Sequence, residues 1–204
     1  MTRYVMFGCG ALGSQIALHL SSTDNSFLLI DDDRVSENNV VTGTSAYYMH
    51  QIGAQKIDCL SEMLWLKGRS ISETYPNTVN HSNINQIMRI PIHGSDEMII
   101  VDTFDNIASR RIVQNFSPPL IPVLHAGVSI NRTGMVAWEH HFPLGSISDD
   151  TDRHTNPVCT NQLGASILRL TSVIAVGAIE IFLATGQQKN FLITESLQIK
   201  ELRI

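Results

Sequence analysis

The apolar residues of this chain fall into two alternating kinds of run. Tyr4 to Phe7, Phe27 to Ile30 and Met98 to Val101 are short and wholly apolar, and each is cut off by glycine or by carboxylates: Gly8, Asp31-Asp32-Asp33 and Asp102. A run with no polar alternate marks a strand buried on both faces, so these read as parallel strands ending at one edge of a sheet. After the first, Ile16, Ala17, Leu18 and Leu20 recur at helical spacing, and Ile57, Leu60 and Leu64 do so within a helix expected from about Ala54 to Lys67 and ended by Gly68. Further strands are expected over Ile71 to Tyr75, Ile121 to Ala126, Thr133 to His141 and Phe191 to Thr194, with short helices over Ile84 to Arg89 and Asn106 to Asn115.

Two polar stretches interrupt this rhythm. Residues 36 to 54 are rich in Asn, Ser, Thr and Gly and read as a long connection with a short helix around Tyr47 to Gln51, while Pro143 to Pro157 reads as a mobile loop. Long connections of that kind usually carry function. The most apolar segment, Gly164 to Gly186, contains Arg169 and Glu180, which fits a buried core helix better than a membrane span. Strands alternating with helices give an α/β fold: a Rossmann-like, doubly wound, mostly parallel sheet with helices on both faces and room for antiparallel strands at one edge. With 204 residues, one domain over residues 1–204 is expected.

Composition narrows the function classes. A formal net charge of −5 leaves no basic footprint for nucleic acid. Cys9, Cys59 and Cys159 are too few and too far apart for a disulfide framework or a paired zinc site, which implies a reducing compartment. Met1 runs directly into the first strand with no signal-peptide pattern, so a cytoplasmic location is expected, with no membrane partner.

The chemistry begins at Gly8-Cys9-Gly10-Ala11-Leu12-Gly13, which follows a strand, opens a helix and has Asp31 about 20 residues beyond. Gly8 allows the tight turn, Gly10 lets a phosphate approach the backbone, and Gly13 permits close helix–strand packing. The helix N-terminus offers amides and a positive dipole end to that phosphate, and Asp31 is the natural acceptor for ribose hydroxyls. The same turn serves NAD, FAD, S-adenosylmethionine and ATP, so the loop alone does not choose. Lys56, which opens a helix, and Asp105, just past a strand end, bring a point charge and a hard oxygen ligand toward the same sheet edge, as a triphosphate and its magnesium require.

Several landmarks in order then resemble the ThiF/MoeB/HesA group of ubiquitin-like-protein activating enzymes. They are the glycine loop, Leu29-Ile30-Asp31-Asp32-Asp33-Arg34-Val35, Asn39, His50, Gly53-Ala54-Gln55-Lys56, Asp102-Thr103-Phe104-Asp105-Asn106 with Arg110, His125-Ala126-Gly127-Val128, and Gly134-Met135-Val136. The resemblance implies ATP and Mg2+ as cofactors and adenylation of the C-terminal glycine of a small ubiquitin-like or sulfur-carrier protein, by attack of its carboxylate on the α-phosphate. It implies that Gly8, Gly10, Leu12, Gly13, Asp31, Asp33, Asn39 and Asn106 contact the nucleotide, that Lys56 neutralises phosphate charge, and that Asp105 is the metal ligand. It also implies a homodimer, and a candidate acyl-accepting nucleophile in Cys159; a loop thiol can be activated by neighbours, and His154 is the candidate base. The family's common arginine three residues after the asparagine is Thr42 here, which leaves Arg34, Arg110 or Arg111 to supply that charge. The two Cys-x-x-Cys pairs that many members use for zinc are missing, so no structural zinc is expected.

The remaining features carry less. Cys9 and Cys59 read as small packing residues, and His140-His141 as strand neighbours facing opposite ways. Asp149, Asp150 and Asp152 read as a solvated loop, and Tyr47-Tyr48 as core or interface. Two competitors stand beside adenylation: a non-catalytic nucleotide-binding scaffold of the same fold, and an NAD-dependent oxidoreductase that would leave Lys56 and Asp105 without a task.

Overall fold

A computed structural model describes residues 1–88, 97–116, 121–129, 131–142 and 162–202. Among them eight strands form one sheet: β1 (Thr2–Phe7), β2 (Asn25–Ile30), β3 (Ile71–Tyr75), β4 (Glu97–Asp102), β5 (Val123–Val128), β6 (Gly134–Trp138), β7 (Asn190–Ile193) and β8 (Ile199–Leu202). Their order is β3-β2-β1-β4-β5-β6-β7-β8. The pairings from β3 through to β5 are parallel, and β5 to β8 run antiparallel to one another at the far edge. The expected mostly parallel sheet with an antiparallel edge is therefore what the chain forms.

The helices are α1 (Ala11–His19), α2 (Glu37–Val41), α3 (Lys56–Gly68), α4 (Ile84–Ile87), α5 (Ile107–Phe116) and α6 (Gln162–Thr185). Successive strand residues point to opposite faces, so the wholly apolar strands feed two cores. Tyr4, Met6, Phe27, Leu29 and Val101 meet Ile16 of α1, Leu60 and Leu64 of α3, and Ile179 of α6 on one face. Val5, Phe7, Leu28, Ile30 and Ile100 meet Ile84 and Ile87 of α4 and Val113 of α5 on the other. Helix α6 is long and apolar enough to cross a membrane, yet in this fold it lies against α1, β5, β6 and β7 with Ile167, Ala175, Ala178 and Ile179 buried.

Four local readings are corrected. The long connection contains α2, which the Asn-rich sequence conceals, and only Met49–Gln51 of the expected short helix is helical, as a 3-10 turn. Gly68 is the last residue of α3, which ends where expected, but the left-handed cap is Arg69 at φ 58. The glycine is needed because a Cβ there would sit 2.2 Å from Ser21 Oγ and 2.7 Å from its backbone carbon. Strand β6 stops at Trp138, and His140-His141 falls in a 3-10 turn opened by Glu139 at φ 48. Strand β8 was not expected, because Lys200-Glu201 breaks its alternation; on an edge strand such charges discourage further pairing.

Candidate nucleotide site

Strand order reverses direction between β1 and β4, and in an open α/β sheet the crevice at the carboxyl ends of such a pair is where ligands bind. The register levels those ends: Phe7 pairs with Ile30 on one side and with Asp102 on the other. The glycine loop leaves β1 at this point. Gly8 takes φ 89, a value that favours glycine, and turns the chain into α1. At Gly13 a Cβ would stand 2.0 Å from Gly8 O and 2.6 Å from Thr103 Oγ1, so only glycine lets α1 approach this closely. A Cβ on Gly10 would meet nothing within 4 Å, so that position borders open space. Gly10 is also the N-cap of α1 and supplies no side-chain cap, leaving first-turn amides for a ligand. Leu12, in that first turn, is buried.

Asp31 directly follows β2, is 7% exposed and is held by two backbone donors: Cys9 N–H at 2.6 Å from Oδ2 and Asp33 N–H at 2.8 Å from Oδ1. Burial pushes its carboxyl pKa up, a shift that Lys56 and these two amides oppose. Lys56 is the first residue of α3, also 7% exposed, and its ammonium donates to Asp33 Oδ2 at 2.6 Å. Burial alone would lower its pKa, but Asp31, Asp33 and Asp105 outweigh that and push it up. Lys56, Asp31, Asp33 and Asp105 thus share one electrostatic neighbourhood. Among the described residues, the one set of His, Cys, Asp or Glu side chains close enough to share a metal ion is Asp31, Asp32 and Asp33.

The remaining expected residues divide. Asp105 is exposed. Asn106 accepts Ser109 N–H at 2.7 Å, so its side-chain oxygen caps α5. Asn39 accepts from Ser36 N–H and Ser36 Oγ–H, both at 2.9 Å, so its oxygen caps α2. Thr42 donates to Asn38 O, and Arg34 donates to Gly53 O at 2.8 Å. Arg110, a candidate for the missing arginine's charge, is engaged by the protein itself. It is buried, with Nη1 3.4 Å from Asp102 Oδ2 and Nη2 donating to Ala126 O at 2.8 Å. His50 is exposed and stacks on Tyr48. Cys159, His154 and the acidic cluster at Asp149, Asp150 and Asp152 lie outside the described residues.

The model of the ThiF family matches residues 1–203. This chain belongs to the ThiF family. It is similar to the adenylyltransferase and sulfurtransferase MOCS3 of Caenorhabditis briggsae, with 25% identity over 144 residues, 70% of this chain and 34% of that protein. Among solved structures it is similar to PaaA, with a TM-score of 0.70 and 19% identity over 100% of this chain and 64% of that one. It also resembles Escherichia coli MccB with ATP, with a TM-score of 0.70 and 16% identity over 98% of this chain and 63% of that one. The chain therefore spans about a third of the curated relative and less than two thirds of these solved chains. At such identities the solved structures establish the shared fold.

Two residues that hold the glycine loop escaped sequence reasoning. Thr103 Oγ1 donates to Gly8 O at 2.8 Å, and its N–H to Phe7 O at 2.8 Å, tying the glycine turn to the end of β4. Tyr47 OH donates to Cys9 O at 2.5 Å. Thr103 lies inside a motif whose acids drew the attention, and a tyrosine in a polar connection carries no signal of where its hydroxyl ends.

Proposed function

We propose that this chain binds ATP with magnesium in the crevice between β1 and β4 and adenylates the C-terminal carboxylate of a small ubiquitin-like or sulfur-carrier protein. The observation that carries the reading is the convergence at one sheet edge of an uncapped glycine-loop helix, a backbone-held Asp31 and a buried Lys56. The residues fit ATP: open space at Gly10 admits phosphate, Asp31 faces ribose, and Lys56 supplies positive charge. Asp105 fits a magnesium ligand, being an exposed carboxylate in the same neighbourhood. Asp105 would hold the ion, which when bound would supply Lewis-acid neutralisation of phosphate charge. The attacking oxygen comes from the carrier's carboxylate, the α-phosphate bond to the β,γ-unit breaks, and acyl-adenylate and pyrophosphate result. The task of this chain is positioning and electrostatic stabilisation.

Similar proteins support the reading: one is named an adenylyltransferase, and MccB has been crystallised with ATP and with AMPCPP plus MccA. Thioester transfer to Cys159, a homodimeric state and a cytoplasmic location belong to the same proposal. A scaffold that binds nucleotide without turning it over is the second reading. It is favoured by Thr42 and by the engagement of Arg34 and Arg110 with the protein itself.

The test titrates the protein with magnesium–ATP and separately with NAD, following melting temperature in wild type and Asp105→Ala, because a ligand of the folded state must raise it. Stabilisation by magnesium–ATP that Asp105→Ala loses, followed by carrier-dependent pyrophosphate exchange, is the expected result. Binding without exchange across the carriers tried selects the scaffold, and stabilisation by NAD alone overturns both. Cys159→Ala should retain exchange and lose any covalent carrier adduct.

A further inference from the structure

We propose that Tyr47 is a positioning residue that aims the Gly10 amide at the nucleotide's phosphates, an inference that rests on the ATP reading above. Tyr47 is 4% exposed, and its hydroxyl donates to Cys9 O at 2.5 Å. Burial, with the Cys9 thiol and the Asp31 carboxylate nearby, pushes the phenol's pKa up, so it remains a donor across the physiological range. The Cys9 carbonyl shares its peptide plane with the Gly10 N–H. No cis peptide bond occurs among the described residues, so this peptide is trans and the two point in opposite directions across a rigid unit. Holding the carbonyl toward Tyr47 therefore turns the Gly10 N–H the other way, and no protein acceptor takes it among the described residues.

The other side of Cys9 is held as well, since its own N–H donates to Asp31 Oδ2 at 2.6 Å. The two peptides on either side of Cys9 are thus fixed by two side chains from distant parts of the sequence: Asp31, expected to take the ribose, and Tyr47. Tyr47 is itself anchored. Ala46 N–H donates to Ser14 Oγ at 3.1 Å, and Gln15 Nε2 donates to Thr44 O at 3.5 Å, binding residues 44–47 to the first turns of α1. Ser45 Oγ donates to Asn39 O, so the same segment reaches back to a residue expected to contact the nucleotide. An amide oriented before the ligand arrives need not be ordered at binding, which is the general source of gain from preorganisation.

The experiment is calorimetric titration of wild type and Tyr47→Phe with magnesium–ATP and with adenosine, which lacks phosphates. Removing one hydroxyl leaves the Cys9 carbonyl free to turn, and a hydrogen bond of this kind corresponds to a roughly 5- to 30-fold weaker Kd for ATP. Adenosine affinity should change by less than about twofold, because it does not use the Gly10 amide. Unchanged ATP affinity, or an equal loss for both ligands, would overturn the role of Tyr47 while leaving the ATP site standing. A wild type that binds neither ligand removes the nucleotide reading and this inference together. If Tyr47→Phe does not fold, Ser14→Ala, which frees the Ala46 amide and loosens the same segment, should shift the ATP-to-adenosine ratio the same way. An unchanged ratio there counts against the proposal.

Discussion

Asp102→Asn should be among the most damaging single changes to this fold, and the reason is a buried cation. Asp102 is fully buried and accepts His125 Nδ1 at 2.7 Å, Phe104 N–H at 3.1 Å and Arg110 Nη1 at 3.4 Å. Around the Arg110 guanidinium lie the Ala126 carbonyl and the Phe142 ring, whose centroid is 4.7 Å away, but Asp102 is its only ion-pair partner among the described residues. The asparagine keeps the shape and removes the countercharge, and stranding a buried charge costs about 3–5 kcal/mol. In a domain of this size each kcal/mol shifts the melting temperature by about 2–4 °C, so a fall of about 6–20 °C is expected by calorimetry. The double variant Asp102→Asn/Arg110→Met should recover part of that loss, because it removes the stranded charge. Arg110→Met, where folded, should leave ATP affinity within about threefold, since its guanidinium is taken up by Asp102 and the Ala126 carbonyl. A fall below about 3 °C for Asp102→Asn, or a collapse of ATP binding in Arg110→Met, would refute the structural assignment of this pair.

Three further outcomes separate packing from ligand contact. Gly13→Ala forces a Cβ onto Gly8 O and should cost about 1–3 kcal/mol in urea unfolding, whereas Gly10→Ala, with open space around it, should stay within about 1 kcal/mol of wild type and yet weaken ATP; equal stabilities would contradict the packing read for Gly13. The folded-state pKa of Lys56 lies above its ordinary 10.5, so the stability its charge provides is complete below that pH and lost as pH rises through the folded value. The melting difference between wild type and Lys56→Met should therefore be flat from pH 7 to about 10 and shrink above it, and a decline already at pH 8 would reverse the sign of that shift. Arg3 is 2% exposed, bonds Glu73 Oε1 at 3.3 Å and has no partner for Nε or Nη2 among the described residues, so Arg3→Met should be neutral or stabilising, and a loss beyond about 2 kcal/mol would count against that.

How far the sequence announced this structure depended on the kind of signal each element carried. The central strands were plain because burial on both faces leaves no polar position in Tyr4 to Phe7 or Phe27 to Ile30, and runs so short, cut off by glycine or carboxylates, favour strand over buried helix. Helix α2 and strand β8 were hidden because their stability comes from elsewhere: α2 has no buried residue and holds by its Ser36–Asn39 capping box, and β8 pairs by backbone with β7. In the glycine loop, the backbone demands on Gly8 and Gly13 were legible because each is local, a positive φ at one and no room for a Cβ at the other. Asn39 and Asn106 were harder, since an asparagine that caps a helix and one that meets a ligand are the same letter. Tyr47 was illegible for a different reason: its partner lies 38 residues away, and only the folded chain brings its hydroxyl to the Cys9 carbonyl.

The charge around Lys56 leads to a last expectation, about the metal. One ammonium stands among the carboxylates of Asp31, Asp33 and Asp105, and its shortest contact, 2.6 Å, is already to Asp33. A bare triphosphate entering this neighbourhood meets an excess of negative charge, at separations where opposed unit charges are worth several kcal/mol even with considerable screening. The α1 amides offset part of this, because a helix N-terminus supplies about half an elementary charge. The balance must arrive with the nucleotide, so ATP without magnesium should bind at least about tenfold more weakly than the magnesium complex. Asp33→Asn removes one carboxylate and releases Lys56 toward the phosphates, which should narrow that gap chiefly by improving metal-free binding. Titrations in EDTA and in magnesium on both proteins decide the matter. If wild type binds ATP equally well in both, the carboxylates do not face the phosphates and Lys56 is a structural partner of Asp33. If Asp33→Asn lowers metal-free affinity instead, Asp33 is itself a contact of the nucleotide and Lys56 is held where it is in order to orient it.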